Sequence, residues 1–227
     1  MNNDVLQQLK GGLVVSCQAL ETEPLHSSYI MGRMAYAAME GGAVGIRANT
    51  PEDIREIKKV VNLPIIGLQK SVYEGTDVYI TPTMQEVDAL MEAEPDIIAM
   101  DATDRLRAGG LTIAEFFPKV REKYPDMLFM ADCSTFEDAL RAQELGFDVA
   151  GTTLCGYTAE TAGTEIPCYD LLRKMCRELR IPVIAEGGIW ERAQLQEAFA
   201  CGIHAAVIGT AITRPREITK RFVDAIS

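Results

Sequence analysis

The sequence predicts an α/β protein folded as one (β/α)8 (TIM) barrel, and three observations carry that prediction. Short apolar or β-branched runs recur about eight times along the chain, with helical patterns between them. The runs are almost continuously apolar, as strands of a parallel sheet buried on both faces are. No linker, low-complexity stretch or change of composition divides the chain, so residues 1–227 read as a single domain. A doubly wound sheet is the competing architecture. It commonly shows a GxGxxG turn after its first strand, and here that strand runs into "VSCQALE".

Taken in order, residues 1–11 ("MNNDVLQQLKG") read as a short amphipathic helix. "LVVSC" (13–17) is the first strand, and "YIMGRMAYAAMEGG" then repeats apolar residues at three and four before stopping in glycines. "AVGIR" (43–47) is the second strand. "TPEDIREIKKVV" opens with Thr50 as N-cap, Pro51 in the first helical position and acids in the first turn. "PIIGLQ" (64–69), "DIIAM" (96–100) and "MLFMA" (127–131) are strands three to five. "STFEDALRAQELG" carries a capping Ser134 or Thr135 and a terminating Gly146. "DVAGTT" (148–153), "PVIA" (182–185) and "HAAVIG" (204–209) complete the eight strands, and "REITKRFVDAI" is a last helix with Ile218, Phe222, Val223 and Ile226 on one face.

Composition excludes several function classes. A 48% hydrophobic, 24% charged chain of 227 residues is an ordinary globular protein with a sizeable core. Its net charge of −11 argues against nucleic acid and anionic membrane surfaces as partners. No run approaches the roughly 18 apolar residues of a membrane span. The start lacks the basic-then-apolar signature of an export signal, so a cytoplasmic location is expected. The six cysteines form no CxxC pair, and neither His26 nor His204 belongs to a ligand cluster, so reduced thiols and no metal site are expected. Cys17 and Cys133 adjoin inward polar residues and should face the helices, whereas His204 should lie at the end remote from the chemistry.

Chemistry in such a barrel belongs at the C-terminal ends of the strands. Polar residues stand there at Gln18, Arg47, Lys70, Asp101 with Thr103, Asp132, Thr152–Thr153 and Glu186. Any one of them can be a helix cap or loop entry, but caps do not call for Arg, Lys and Gln. Two glycine-rich ends stand apart. "AEGGI", with Gly187 and Gly188, follows strand seven, and "IGTAITRP", with Gly209, Thr210 and Arg214, follows strand eight. Loops at these two places often hold a phosphate, because glycine lets backbone N–H groups approach the anion. Lys70 ends strand three and Glu186 ends strand seven, opposite one another in an eight-stranded ring. A lysine in that dry mouth is pushed toward base function, and a carboxylate nearby pulls the other way, making a coupled proton-transfer unit or a structural ion pair. A Schiff base between Lys70 and a carbonyl substrate, as in aldolase barrels, stays open.

Together "VVSCQ", "GAVGIRAN", "VYITPT", "DATDRLR", "ADCST", "GTTLCGYT", "IAEGG" and "AITRP" resemble the N-acetylmannosamine-6-phosphate 2-epimerase family from about residue 13 to 215. The resemblance implies a TIM barrel that interconverts N-acetylmannosamine 6-phosphate and N-acetylglucosamine 6-phosphate in amino-sugar (sialic acid) breakdown. It implies no cofactor, and a homodimer. By motif, Lys70 would be the catalytic lysine and Glu186 its acidic partner. Gln18, Arg47, Asp132 and Thr153 would contact sugar hydroxyls or the N-acetyl group, and Gly187, Gly209, Thr210 and Arg214 would surround the phosphate. Two positions depart from the family pattern. Ser71 follows the lysine where a basic residue is usual, and Gly188 stands where a longer polar or basic side chain is usual. Both lower the local positive charge. The competing readings are another phosphosugar barrel enzyme, such as a Schiff-base aldolase using Lys70, and a non-catalytic phosphosugar-binding relative.

Overall fold

The computed structural model describes residues 2–226. Its strands are β1 (Leu13–Cys17), β2 (Gly45–Asn49), β3 (Ile65–Leu68), β4 (Ile97–Asp101), β5 (Leu128–Asp132), β6 (Val149–Gly151), β7 (Val183–Glu186) and β8 (Ala205–Ile208). They pair in parallel, each with its sequence neighbour, and β8 closes on β1 to complete the barrel. The helices are α1 (Asn2–Leu9), α2 (Ser28–Glu40), α3 (Pro51–Lys58), α4 (Met84–Met91), α5 (Ile113–Lys123), α6 (Phe136–Leu145), α7 (Tyr169–Glu178), α8 (Arg192–Ala200), α9 (Thr210–Thr213) and α10 (Pro215–Asp224). All eight expected strands form, β1 with the predicted ends and the others with ends within two residues of them. The predicted helix over 1–11 is Asn2–Leu9, and Met1 lies outside the described residues, as does Ser227.

The caps follow the local chemistry. Thr50 accepts from the Asp53 amide ahead of Pro51, and Thr135, not Ser134, caps α6 in a reciprocal box with Asp138. Gly146 closes α6 in the left-handed conformation at φ 92°. Ser134 instead bonds the Thr158 and Thr161 hydroxyls at 2.6 and 2.9 Å, tying the loop after β6 to the end of β5.

Period-two alternation divides every strand between two cores. Val15, Cys17, Ile46, Ala48, Phe129, Cys133 and Ala185 join the layer between barrel and helices, so Cys17 and Cys133 face outward as expected. Val14, Ile66, Leu68, Ile97, Met130, Ile184 and Val207 fill the barrel itself. Continuing the inward series by two residues leads from Ile66 and Leu68 to Lys70, from Gly45 to Arg47, and from Met130 to Asp132. The alternation that builds the core therefore delivers the polar side chains to the mouth.

The opposite end is closed by α1. Leu9 is fully buried inside the barrel, and a Cβ on Gly45 would lie 2.6 Å from its side chain, so only glycine leaves room for this plug. His204, just before β8, binds the Leu6 carbonyl through Nε2 at 2.7 Å, at this closed end as expected. At the other extreme α10 has no buried residue, and Phe222 and Ile226 are exposed.

Candidate active site

The mouth holds a cavity of about 490 Å³, lined among others by Gln18, Arg47, Lys70, Thr153, Glu186 and Arg214 together with the glycine-rich ends of β7 and β8. Ten of the fourteen residues expected there line it; Asp101, Thr103, Asp132 and Thr152 are buried outside its lining. The floor is an ion-pair network. Arg47, 1% exposed, reaches Asp132 Oδ2 through Nη2 at 2.6 Å and Glu186 Oε2 through Nη1 at 3.2 Å. The Thr153 hydroxyl donates to Asp132 Oδ1 at 2.6 Å and lies 3.2 Å from Glu186 Oε2. Thr152 bridges β6 to β7, donating to the Glu186 carbonyl at 2.9 Å and accepting its amide at 3.1 Å. These bonds fix the Glu186 backbone and leave its carboxylate at the edge of the cavity.

Lys70 enters from the other side. Its backbone amide donates to Asn49 Oδ1 at 2.9 Å, and it pairs with Ile80 in an antiparallel bridge. Its ammonium has no hydrogen bond or ion pair with any described residue. The direct Lys70–Glu186 ion pair that the sequence left open does not form among the described residues; Arg47 takes the carboxylate instead. Burial, reinforced by the positive charges of Arg47 and Arg214 and opposed by Glu186 and Glu23, brings the Lys70 ammonium down to about 8. Burial pushes the Glu186 carboxyl up to about 7, with Asp132 adding to the rise and Arg47 and Lys70 opposing it. Two groups of opposite type thus titrate close to neutrality across one cavity, the pattern of an acid–base site.

The far wall suits an anion. Among the described residues the amides of Gly187, Gly188 and Gly209 donate to no other backbone group. Gly188 sits at φ 73°, and a Cβ there would lie 2.6 Å from the carbonyl carbon and oxygen of Ile166. A side chain at this position would collide with the Ile166 backbone, which lies against the bare Gly188. Arg214 is held by Glu23, Nη2 to Oε2 at 3.2 Å, which leaves other guanidinium donors for a ligand. Glu23 was not legible as part of the site, since its loop has no strand-end signature. Trp190 and Arg221 were also missed. The Arg221 guanidinium stacks 5.0 Å from the Trp190 ring and pairs with Glu191, bringing α10 to the cavity rim.

Fold and site together define a (β/α)8 barrel enzyme whose C-terminal mouth brings two buried titratable groups, Lys70 and Glu186, to one cavity with the glycine-rich ends of β7 and β8. Residues 31–227 match the family model described as "NanE: Putative N-acetylmannosamine-6-phosphate epimerase". Two relatives named "Putative N-acetylmannosamine-6-phosphate 2-epimerase" are closely similar. The one from Caldanaerobacter subterraneus is 54% identical over 226 residues, covering 100% of this chain and 95% of the relative. The one from Shouchella clausii is 55% identical over 224 residues, covering 98% of each. The solved N-acetylmannosamine-6-phosphate 2-epimerase from Clostridium perfringens superposes with a TM-score of 0.92 at 48% identity, over 97% of this chain and 95% of that one. Thiamine phosphate pyrophosphorylase from Pyrococcus furiosus, 18% identical with a TM-score of 0.64 over 95% of this chain and 92% of its own, shares the fold. The chain belongs to the N-acetylmannosamine-6-phosphate epimerase family.

Proposed function

We propose that this chain interconverts N-acetylmannosamine 6-phosphate and N-acetylglucosamine 6-phosphate by inverting carbon 2 through an enolate, in amino-sugar (sialic acid) catabolism. The observation that supports it most is the Lys70–Glu186 pair, two groups brought close to neutrality across a cavity whose β7–β8 side offers uncommitted glycine amides. The sugar ring opens to expose the carbon 1 carbonyl, which acidifies the hydrogen on carbon 2. Lys70 as free amine takes that proton, and a proton returns to the other face. Glu186 assists ring opening or exchanges protons with Lys70. Arg47, with Asp132 and Thr153 behind it, holds Glu186 in place and supplies positive charge where the enolate forms. Gln18, Arg47 and Thr153 contact the sugar, with Asp132 acting through its two partners. Gly187, Gly188, Gly209, Thr210 and Arg214 hold the phosphate. Every step is a proton transfer, so the route balances without electron transfer or a cofactor.

The chain works as one domain in the cytoplasm; no described helix is long and apolar enough to cross a membrane. The exposed Phe222 of α10 and Ile226 just beyond it support a homodimer, which mass photometry tests. The deciding experiment for the reaction is proton NMR of N-acetylmannosamine 6-phosphate with enzyme in heavy water. Deuterium should enter carbon 2, and Lys70→Ala should lower both epimerisation and incorporation by about 10²–10⁴-fold or more. Full conversion with carbon 2 unlabelled would point to bond cleavage and re-addition. A borohydride-stable adduct on Lys70 would move the assignment to a Schiff-base enzyme.

A further inference from the structure

Tyr79 lies in the cavity wall and has no part in the network described above. Its ring packs on the apolar interior of the barrel. Its hydroxyl has no hydrogen-bond partner among the described residues, yet it is not sealed off from the cavity as the unpaired Gln18 and Arg47 atoms are. The nearby charges are Asp132, Asp101, Arg105 and Arg47, the carboxylate–guanidinium side of the mouth.

The backbone that carries Tyr79 is held tightly. The Tyr79 carbonyl accepts the Ser71 amide at 2.9 Å, and the Ile80 carbonyl accepts the Asp101 amide at 3.0 Å. The Thr81 amide donates to the Gln69 carbonyl at 2.7 Å, and its hydroxyl to the Ala99 carbonyl at 2.7 Å. Residues 79–81 are thus wedged between the ends of β3 and β4. Thr81 adopts φ 46° to achieve this, a conformation that a β-branched residue seldom takes and that the surrounding bonds must enforce. A strained segment that presents an unpartnered phenol to a cavity is pre-organised for a ligand.

Position in the ring says which part of the ligand. β3 and β4 lie opposite β7 and β8 in the closed barrel. On the function proposed above, the phosphate of the substrate sits at the ends of β7 and β8. The part of the sugar farthest from carbon 6 then lies under Tyr79, and that part carries carbons 1 and 2 and the acetamido group. We propose that Tyr79 is a further substrate contact, its hydroxyl donating a hydrogen bond to a carbonyl-type oxygen at this end, either the oxygen on carbon 1 or that of the acetamido group. Burial beside Asp132 and Asp101 holds the phenol above its ordinary range, so it stays protonated and a donor throughout the working pH range.

The test compares wild type with Tyr79→Phe, which keeps the ring and its packing and removes only the hydroxyl. We expect kcat/KM for N-acetylmannosamine 6-phosphate to fall about tenfold or more, with the melting temperature and the affinity for inorganic phosphate unchanged. A fall in kcat assigns the carbon 1 oxygen, where charge grows in the enolate; a rise in KM at constant kcat assigns the acetamido oxygen. Wild-type kinetics in the variant, or an equal loss of inorganic phosphate binding, would overturn the assignment. Absence of turnover by the wild type would instead count against the reaction itself, and binding of the sugar phosphate to both proteins by calorimetry still decides the contact.

Discussion

Arg47→Met is the most informative single change, because one guanidinium serves both stability and the acid–base pair. The substitution keeps an unbranched side chain of similar reach and removes the charge between Asp132 and Glu186. Removing one partner of a buried ion pair costs about 3–5 kcal/mol. The lower end applies here, since Glu186 already sits near neutrality and escapes by taking up a proton, and Thr153 still donates to Asp132. For a domain of this size roughly 3 kcal/mol corresponds to a fall of about 6–12 °C in melting temperature. The effect on catalysis has a definite sign. The Arg47 charge lowers both the Glu186 carboxyl and the Lys70 ammonium, so losing it raises both. The whole pH–rate curve should therefore move toward alkaline pH, with its two limbs travelling together. The assays are thermal unfolding and kcat/KM for epimerisation across pH. A melting temperature within about 2 °C of wild type, or a curve displaced toward acid, would refute the reasoning.

Three further changes probe other parts of the site. Wild-type kcat/KM should be bell-shaped with limbs near 7 and 8, since the active state, Lys70 as free amine with Glu186 holding the pair's one proton, is populated only between them; Glu186→Gln should erase the alkaline limb, leaving the rise as Lys70 loses its proton, and slow turnover about 10²-fold or more, with sugar phosphate binding retained. A flat wild-type profile from pH 6 to 9 would count against the pair. Arg214→Ala should raise KM about tenfold to a hundredfold and largely spare kcat; equal efficiency of the wild type toward the phosphorylated and unphosphorylated sugar would defeat that assignment. Gly188→Ala places a Cβ against the Ile166 backbone at a left-handed residue, so it should destabilise by at least about 1–2 kcal/mol and raise KM by shifting the 164–167 wall, read by denaturant melts and steady-state kinetics.

Most of the barrel was legible because parallel strands buried on both faces leave a simple trace. Ile65 to Leu68 and Leu128 to Met130 are apolar whichever face they meet, and the next inward residue is polar. Lys70, Arg47 and Glu186 were found by that rule. Their partnership was not legible: a strand-end position gives no clue that Arg47, three strands round the barrel from Asp132, would intercept the carboxylate expected for Lys70. Glu23, Trp190 and Arg221 escaped for a different reason. They come from loops and from α10, whose placement depends on tertiary contacts rather than on periodicity. Tyr79 carried a signal in "VYITPT", an aromatic inside a short segment after strand three, but its direction into the mouth depends on the twist at Thr81.

The plug formed by α1 gives the molecule a working end and a handling end. Leu9 fills the barrel floor and His204 fastens that helix down, while Arg221 on α10 stands at the cavity rim. Fixed to a solid support through the α1 side, the barrel would present its open mouth to flowing solution, and a reporter or fusion partner attached there would leave substrate entry unobstructed. Anchoring through α10 would set the support beside Trp190 and Arg221. The two orientations should differ in retained activity per molecule, which makes the choice of tether a design variable for any sensor or flow reactor based on this fold.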